Sequence, residues 1–179
     1  MNFDSQYSKT HERRFRKTLH FLEEVVPPPK KILDIGPVNP FTAMLEQAGY
    51  AVTNTAEGVD LDYQQHEVAR DGFDVVTAFE IFEHMVNPFS LLRLVRAPYL
   101  VASVPLKLWF ASAYWNEKDP FDRHYHEFEA RQFDMLLNKA GWQVQKQEKW
   151  ITPSSKIGLR PLLRNFTPRH YIVFAVKAS

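Results

Sequence analysis

Residues 72–88 read GFDVVTAFEIFEHMVNP, and this stretch decides the fold. From Phe73 to Phe79 the run is almost continuously apolar, as in a strand covered on both faces. It ends in Glu80, Glu83 and His84, and Asn87-Pro88 then supplies a helix cap and a first-turn proline. A buried strand, a polar turn and a fresh helix together make the repeating unit of a parallel sheet.

The same unit recurs on both sides. Upstream, KKILDIG (30–36) predicts a short strand, Asn39-Pro40-Phe41 opens a helix that runs to Gly49, and YAVTNT (50–55) predicts the next strand. Downstream, the helix from Asn87-Pro88 runs to about Arg96, and YLVASVP (99–105) follows as another strand. An aromatic stretch, LKLWFASAYW (106–115), leads to a helix with Phe133, Leu136, Leu137 and Ala140 on one face, ending at Gly141. Trp142–Trp150 and His170–Lys177 are expected as antiparallel edge strands, joined by a proline-bearing loop over 151–169. Ahead of all this, Ser5–Val26 carries Phe15, Leu19, Leu22 and Val26 at helical spacing until Pro27, Pro28 and Pro29 stop it. The expected fold is therefore α/β: three layers, doubly wound, with a mostly parallel sheet of six or seven strands and a C-terminal antiparallel hairpin. One domain spans 1–179, with the amphipathic helix and proline linker in 1–29 and the α/β core in 30–179.

Composition narrows the function. The 179 residues are 45% hydrophobic and 14% aromatic, enough to bury one core and to exclude disorder as the main state. Net charge is +1, so the chain is expected to be neither a nucleic-acid binder nor an acidic solvating chain, and the basic residues Lys156, Arg160 and Arg164 read as solvated. The absence of cysteine excludes disulfides, thiolate metal sites and cysteine nucleophiles. No run of 18 apolar residues exists, so no membrane span is expected, and a cytoplasmic location follows as the expectation.

Ligands of open α/β sheets bind beyond the carboxyl ends of the strands. Here those positions hold Asp34 and Gly36, then Glu57, then Glu80, Glu83 and His84, then Ser103 and Pro105. A glycine lets a ligand approach the backbone, and a carboxylate after the second strand can accept from ribose hydroxyls. The group Trp109, Phe110, Tyr114 and Trp115 reads equally as a lid over a substrate or as core.

Four stretches resemble the class I S-adenosylmethionine-dependent methyltransferases, and especially their small type 11 branch: KILDIG at 31–36, GFDVVTAFEIFEHMVNP at 72–88, YLVASVP at 99–105 and RHYHEFEARQFDMLLNKAGW at 123–142. The resemblance implies S-adenosylmethionine as cofactor and a small-molecule methyl acceptor as partner. It implies that Asp34, Gly36 and Pro37 line the methionyl end, with Asp34 near the ammonium group. Glu57 would bind the ribose, Asp62 the adenine amine, and Ala78, Phe79 and Glu80 the wall beside the sulfonium. Where the family continues Gly-x-Gly, this chain reads Gly36-Pro37-Val38-Asn39-Pro40, so its loop must take another path. Between the second strand and Asp62 there is no room for a helix and a third strand.

The cofactor supplies the reactivity in methyl transfer, so the protein aligns the acceptor and removes its proton. Candidate bases are His124, His126, His84 and Tyr125, the first two preferred. His124 and His126 alternate as on a strand but lack a third ligand, and no metal is expected. Rival readings are a catalytically inactive binding module and a partner subunit; a homodimer is compatible with either or with the enzyme. A nicotinamide enzyme is disfavoured because G-x-G-x-x-G is absent.

Overall fold

The computed structural model describes residues 9–153 and 158–178. The start of the first predicted helix, Ser5–Ser8, and Lys156 lie outside them. Six strands form one sheet: β1 (Lys31–Asp34), β2 (Ala51–Asn54), β3 (Val75–Phe79), β4 (Tyr99–Pro105), β5 (Trp142–Trp150) and β6 (His170–Lys177). Their spatial order is β2-β1-β3-β4-β6-β5, with β1 to β4 parallel and β6 antiparallel to both β4 and β5. The helices are α1 (Lys9–Val25), α2 (Pro40–Gln47), α3 (Pro88–Leu94), α4 (Ala130–Lys139) and α5 (Leu159–Arg164).

Alternation along the strands builds two cores, because successive side chains point to opposite faces. Ile32, Val75, Val101 and Ile172 meet Phe15, Phe21 and Leu22 of α1 and Phe41 and Leu45 of α2. On the other face, Leu33, Val76, Ala78 and Ala102 meet Leu91 and Leu92 of α3 and Phe133 and Leu137 of α4. That is the three-layer arrangement expected. Each fully buried Leu, Ile or Phe in these layers contributes about 1.5–3 kcal/mol of transfer free energy. Asn39 caps α2, accepting from the Phe41 amide at 2.8 Å, and Asn87 caps α3.

Two expectations fail locally. The predicted loop over 151–169 contains α5, whose Pro161 sits in the first helical turn, where a missing amide proton costs nothing. Residues 124–126 are not a strand; among 107–127 the backbone is irregular, and the nearest pairing is the isolated bridge between Leu106 and Phe128. Between β2 and β3 no strand forms, only the short 3-10 turn Gln65–Val68, as the spacing predicted.

Candidate active site

The carboxyl ends of β1, β3 and β4 meet at one edge of the sheet, and the site grows from there. Asp34, the last residue of β1, is 3% exposed. Its carboxylate accepts from Thr77 Oγ1 at 2.6 Å and from Asn54 Nδ2 at 3.1 Å, yet burial outweighs both bonds and pushes the carboxyl up to about 7. Gly36 then turns with φ +127°, a conformation that disfavours any side chain. Its amide donates to Thr55 Oγ1 at 2.9 Å, and its carbonyl accepts from Asn54. Pro37 and Pro40 have no amide proton, and the amides of Asn39, Phe41 and Thr42 are taken by Thr42 Oγ1, Asn39 Oδ1 and the Asn39 carbonyl. The loop after β1 therefore keeps four of its amides, those of Gly36, Asn39, Phe41 and Thr42, for itself.

The turn after β3 is built differently. Glu80 adopts φ +57°, a left-handed geometry that costs a non-glycine residue about 1–3 kcal/mol and clusters at functional sites. Its Oε1 accepts from Ser103 Oγ at 3.1 Å, while Oε2 lies 3.4 Å from Arg14 Nη1 and 3.5 Å from His170 Nδ1. Burial alone would raise this carboxyl, but His170, Arg14 and Ser103 together hold it below the usual range. Glu83 is 1% exposed, its Oε1 is 3.7 Å from His84 Nε2, and its Oε2 has no hydrogen-bond partner. Burial first, and the Glu80 charge second, push Glu83 well upward. Two neighbouring carboxyl groups thus differ sharply in proton affinity.

Residues 123–126 dock on that turn through the backbone. The amides of Tyr125 and His126 both donate to the Glu83 carbonyl, at 2.7 and 3.2 Å. His84 Nδ1 meets the Arg123 carbonyl at 3.1 Å, and His126 Nε2 meets the Val86 carbonyl at 3.2 Å. His124 Nδ1 lies 3.1 Å from Glu127 Oε1. The rings of His84 and His124 stand edge to face, 5.0 Å apart. Burial, and then His124, lower the pKa of His84. His126 instead stacks on Phe128, and Tyr125 is exposed against Trp115. The structure pairs His124 with His84, not with His126.

A cleft of about 610 Å³ runs over Gly36 and is lined by Arg14, Asp34, Pro37, Phe41, Phe79 and Glu80. It adjoins a lobe of about 200 Å³ lined by Thr55, Gly58, Asp60, Asp62, Met85 and Phe121, and both share Gly36, Pro37 and Ile81. The larger cleft by itself falls in the roughly 300–1,000 Å³ range of small-ligand sites, and the lobe extends it. Asp34, Glu80, Asp119 and Asp122 line the larger cleft against the single Arg14. Asp62 lines the lobe, but its two oxygens already accept from the Val86 and Asn87 amides at 2.8 Å. Glu57 is exposed and lines neither cavity: it sits in the turn at 57–58, whose neighbours Ala56 and Gly58 line the lobe. Ala78 is fully buried on the α3–α4 face, since strand alternation points it away from the cleft. Arg14, Asn54, Thr55 and Thr77 were missed by the reading of strand ends; Asn54 ends β2 and Thr55 follows it at the same edge, so both could have been read from it.

A third cleft, about 430 Å³, lies beyond His124 and is lined by Tyr114, Trp115, Glu127, Arg160, Arg164 and Arg169. Burial, and then the Arg164 charge, lower the pKa of Arg169. None of the three arginines has a salt bridge among the described residues. Trp109, Tyr114 and Trp115 are exposed, so this aromatic group is not core.

Comparison with known proteins agrees with this geometry. No curated sequence matches the chain. Among solved structures, the chain resembles the Burkholderia thailandensis 1,6-didemethyltoxoflavin-N1-methyltransferase with bound 1,6-didemethyltoxoflavin and S-adenosylhomocysteine (TM-score 0.65, 18% identity, covering 99% of this chain and 94% of that one). It also resembles a SAM-dependent methyltransferase from Archaeoglobus fulgidus (TM-score 0.59, 19% identity, 93% and 98% covered). A third is the magnesium protoporphyrin IX methyltransferase of Synechocystis with bound S-adenosylhomocysteine (TM-score 0.59, 15% identity, 98% and 90% covered). At such identities the likeness is one of fold. The sequence itself matches the methyltransferase domain family over residues 7–147, and the chain belongs to that family.

Proposed function

We propose that the chain is an S-adenosylmethionine-dependent methyltransferase acting on a small, negatively charged acceptor. The observation that carries this reading is the charge of the cleft over Gly36: carboxylates outnumber cations there, and the loop beside it has spent the amides of Gly36, Asn39, Phe41 and Thr42 internally. A dinucleotide needs backbone donors for its pyrophosphate, whereas a sulfonium bearing an ammonium group needs negative charge and aromatic faces.

In this reading Asp34 receives the ammonium group, and Arg14 the methionyl carboxylate. Phe79 and Glu80 stand beside the sulfonium, and Gly36 and Pro37 floor the cleft. Asp62 and the lobe around it take the adenine end, while Glu57 at the rim reaches the ribose only from outside the lobe. Arg160, Arg164 and Arg169, which have no salt bridge among the described residues, attract the acceptor. His84 and His124 supply the lone pairs nearest the acceptor's proton; His126 and Tyr125 flank them, His126 engaged by the Val86 carbonyl.

Calorimetry with S-adenosylhomocysteine and NAD tests the cofactor. The homocysteine ligand should bind and NAD should not; binding of NAD, or of neither, overturns the reading. Transfer of labelled methyl to a panel of aromatic acids and phosphates then separates an enzyme from a binding module.

A further inference from the structure

We propose that Glu83, His84 and His124 form a binding site for one divalent transition-metal ion. One ligand atom from each lies within 4.8 Å of the others. Ligands about 2.0–2.2 Å from a shared ion stand somewhat closer than that, so side-chain adjustments suffice to close the set.

Three independent features point the same way. Glu83 is buried, and its Oε2 has no partner, which is costly for a carboxylate unless something cationic meets it. His84 presents Nδ1 to the Arg123 carbonyl, which can only accept, so that nitrogen carries the proton and Nε2 keeps the lone pair, 3.7 Å from Glu83 Oε1. His124 presents Nδ1 to the Glu127 carboxylate and is fixed in the same tautomer. A metal-ligating histidine typically donates its other ring nitrogen to a carbonyl or carboxylate, and here both rings do so. Glu83 and His84 come from one tight turn, and His124 is tied to it by the amides of Tyr125 and His126 on the Glu83 carbonyl.

The donor set selects the ion. Two imidazoles and one carboxylate suit zinc, cobalt, manganese or ferrous iron, while magnesium and calcium favour oxygen ligands. Three protein ligands leave open positions for exogenous groups. His84 lines the cavity lobe near Asp62 and His124 lines the arginine cleft, so the ion would stand between them. An acceptor oxygen or nitrogen would fill an open position, and with the ion bound the two imidazoles would serve as its ligands in place of bases; only this last statement rests on the methyltransferase reading.

The experiment uses the full chain, stripped with a chelator and titrated with Co2+, followed by visible absorption and calorimetry, with Zn2+ as competitor. One Co2+ per chain should bind with ligand-field bands and be displaced by Zn2+. Glu83→Gln and His124→Asn should abolish that site, and Glu127→Gln should weaken it by roughly 10–100-fold. Circular dichroism and thermal unfolding of the stripped variants check that they are folded. Absence of the bands, or Co2+ affinity unchanged in Glu83→Gln and His124→Asn, overturns the proposal. Because the metal is titrated without cofactor and the cofactor without metal, either reading can fail alone.

Discussion

The loop after β1 and the turn after β3 sit side by side at the ends of paired parallel strands, yet they use their polar atoms in opposite ways. Residues 36–42 turn their amides onto Thr55, Thr42 and Asn39, which leaves a firm but chemically quiet floor. Residues 80–84 hold one left-handed residue, Glu80, a buried carboxyl oxygen without a partner and an imidazole lone pair. In the methyltransferase reading, the first segment sets ligand shape and the second reactivity. Selectivity in that reading rests on side-chain charge, since the amides of Gly36, Asn39, Phe41 and Thr42 are already engaged.

Breaking the anchor of the reactive turn should have the largest effect. Phe82 is fully buried, 5.9 Å from Phe133, and Phe82→Ala should cost about 3–5 kcal/mol in denaturant unfolding. Next, Gly36→Val forces a branched side chain into φ +127° with its Cβ 3.4 Å from Ile81 Cδ1. It should lose about 1–3 kcal/mol of stability and, in calorimetry, all measurable affinity for S-adenosylhomocysteine.

Asp34 sharpens the comparison through pH. Its carboxyl is raised to about 7 by burial, so the folded protein keeps a proton that the unfolded chain loses near 3.8. Stability from this group is fully present below the unfolded value and is lost as pH rises towards 7. A bound ammonium group favours the ionised form, so affinity for S-adenosylhomocysteine should climb between pH 6 and 7, by at most about tenfold per unit, and level above. Asp34→Asn should bind more weakly and show no such slope. The smallest effect is expected at the helix cap: Asn39→Ala should lower stability by about 1 kcal/mol.

Much of the scaffold was legible because it is written in short-range patterns. The strand over 99–105, the terminal pair 142–150 and 170–177 and both Asn-Pro caps follow from alternation, apolar runs and turn chemistry. The helix over Leu159–Arg164 was hidden because prolines in a first turn look like breakers. The site was less legible for a related reason. Strand ends located Asp34, Gly36 and Glu80, but Arg14 reaches the cleft from α1, which precedes the sheet, and only packing puts it there. His124 and His126 look like a pair in sequence, and the irregular backbone between β4 and α4 sends them to different partners. Glu57 shows the converse: a carboxylate at the expected distance after β2, turned to solvent by the chain around Gly58.

The two margins of the sheet carry a consequence for association. One margin is β2, only four residues long, and the other is β5, irregular between Val144 and Lys146 and carrying Lys146, Glu148 and Lys149. Short or charged margins with a local bulge resist recruitment of a foreign strand. Any self-assembly must therefore run through helices and loops, and crowding the protein in solution should not lengthen its sheet into a ribbon.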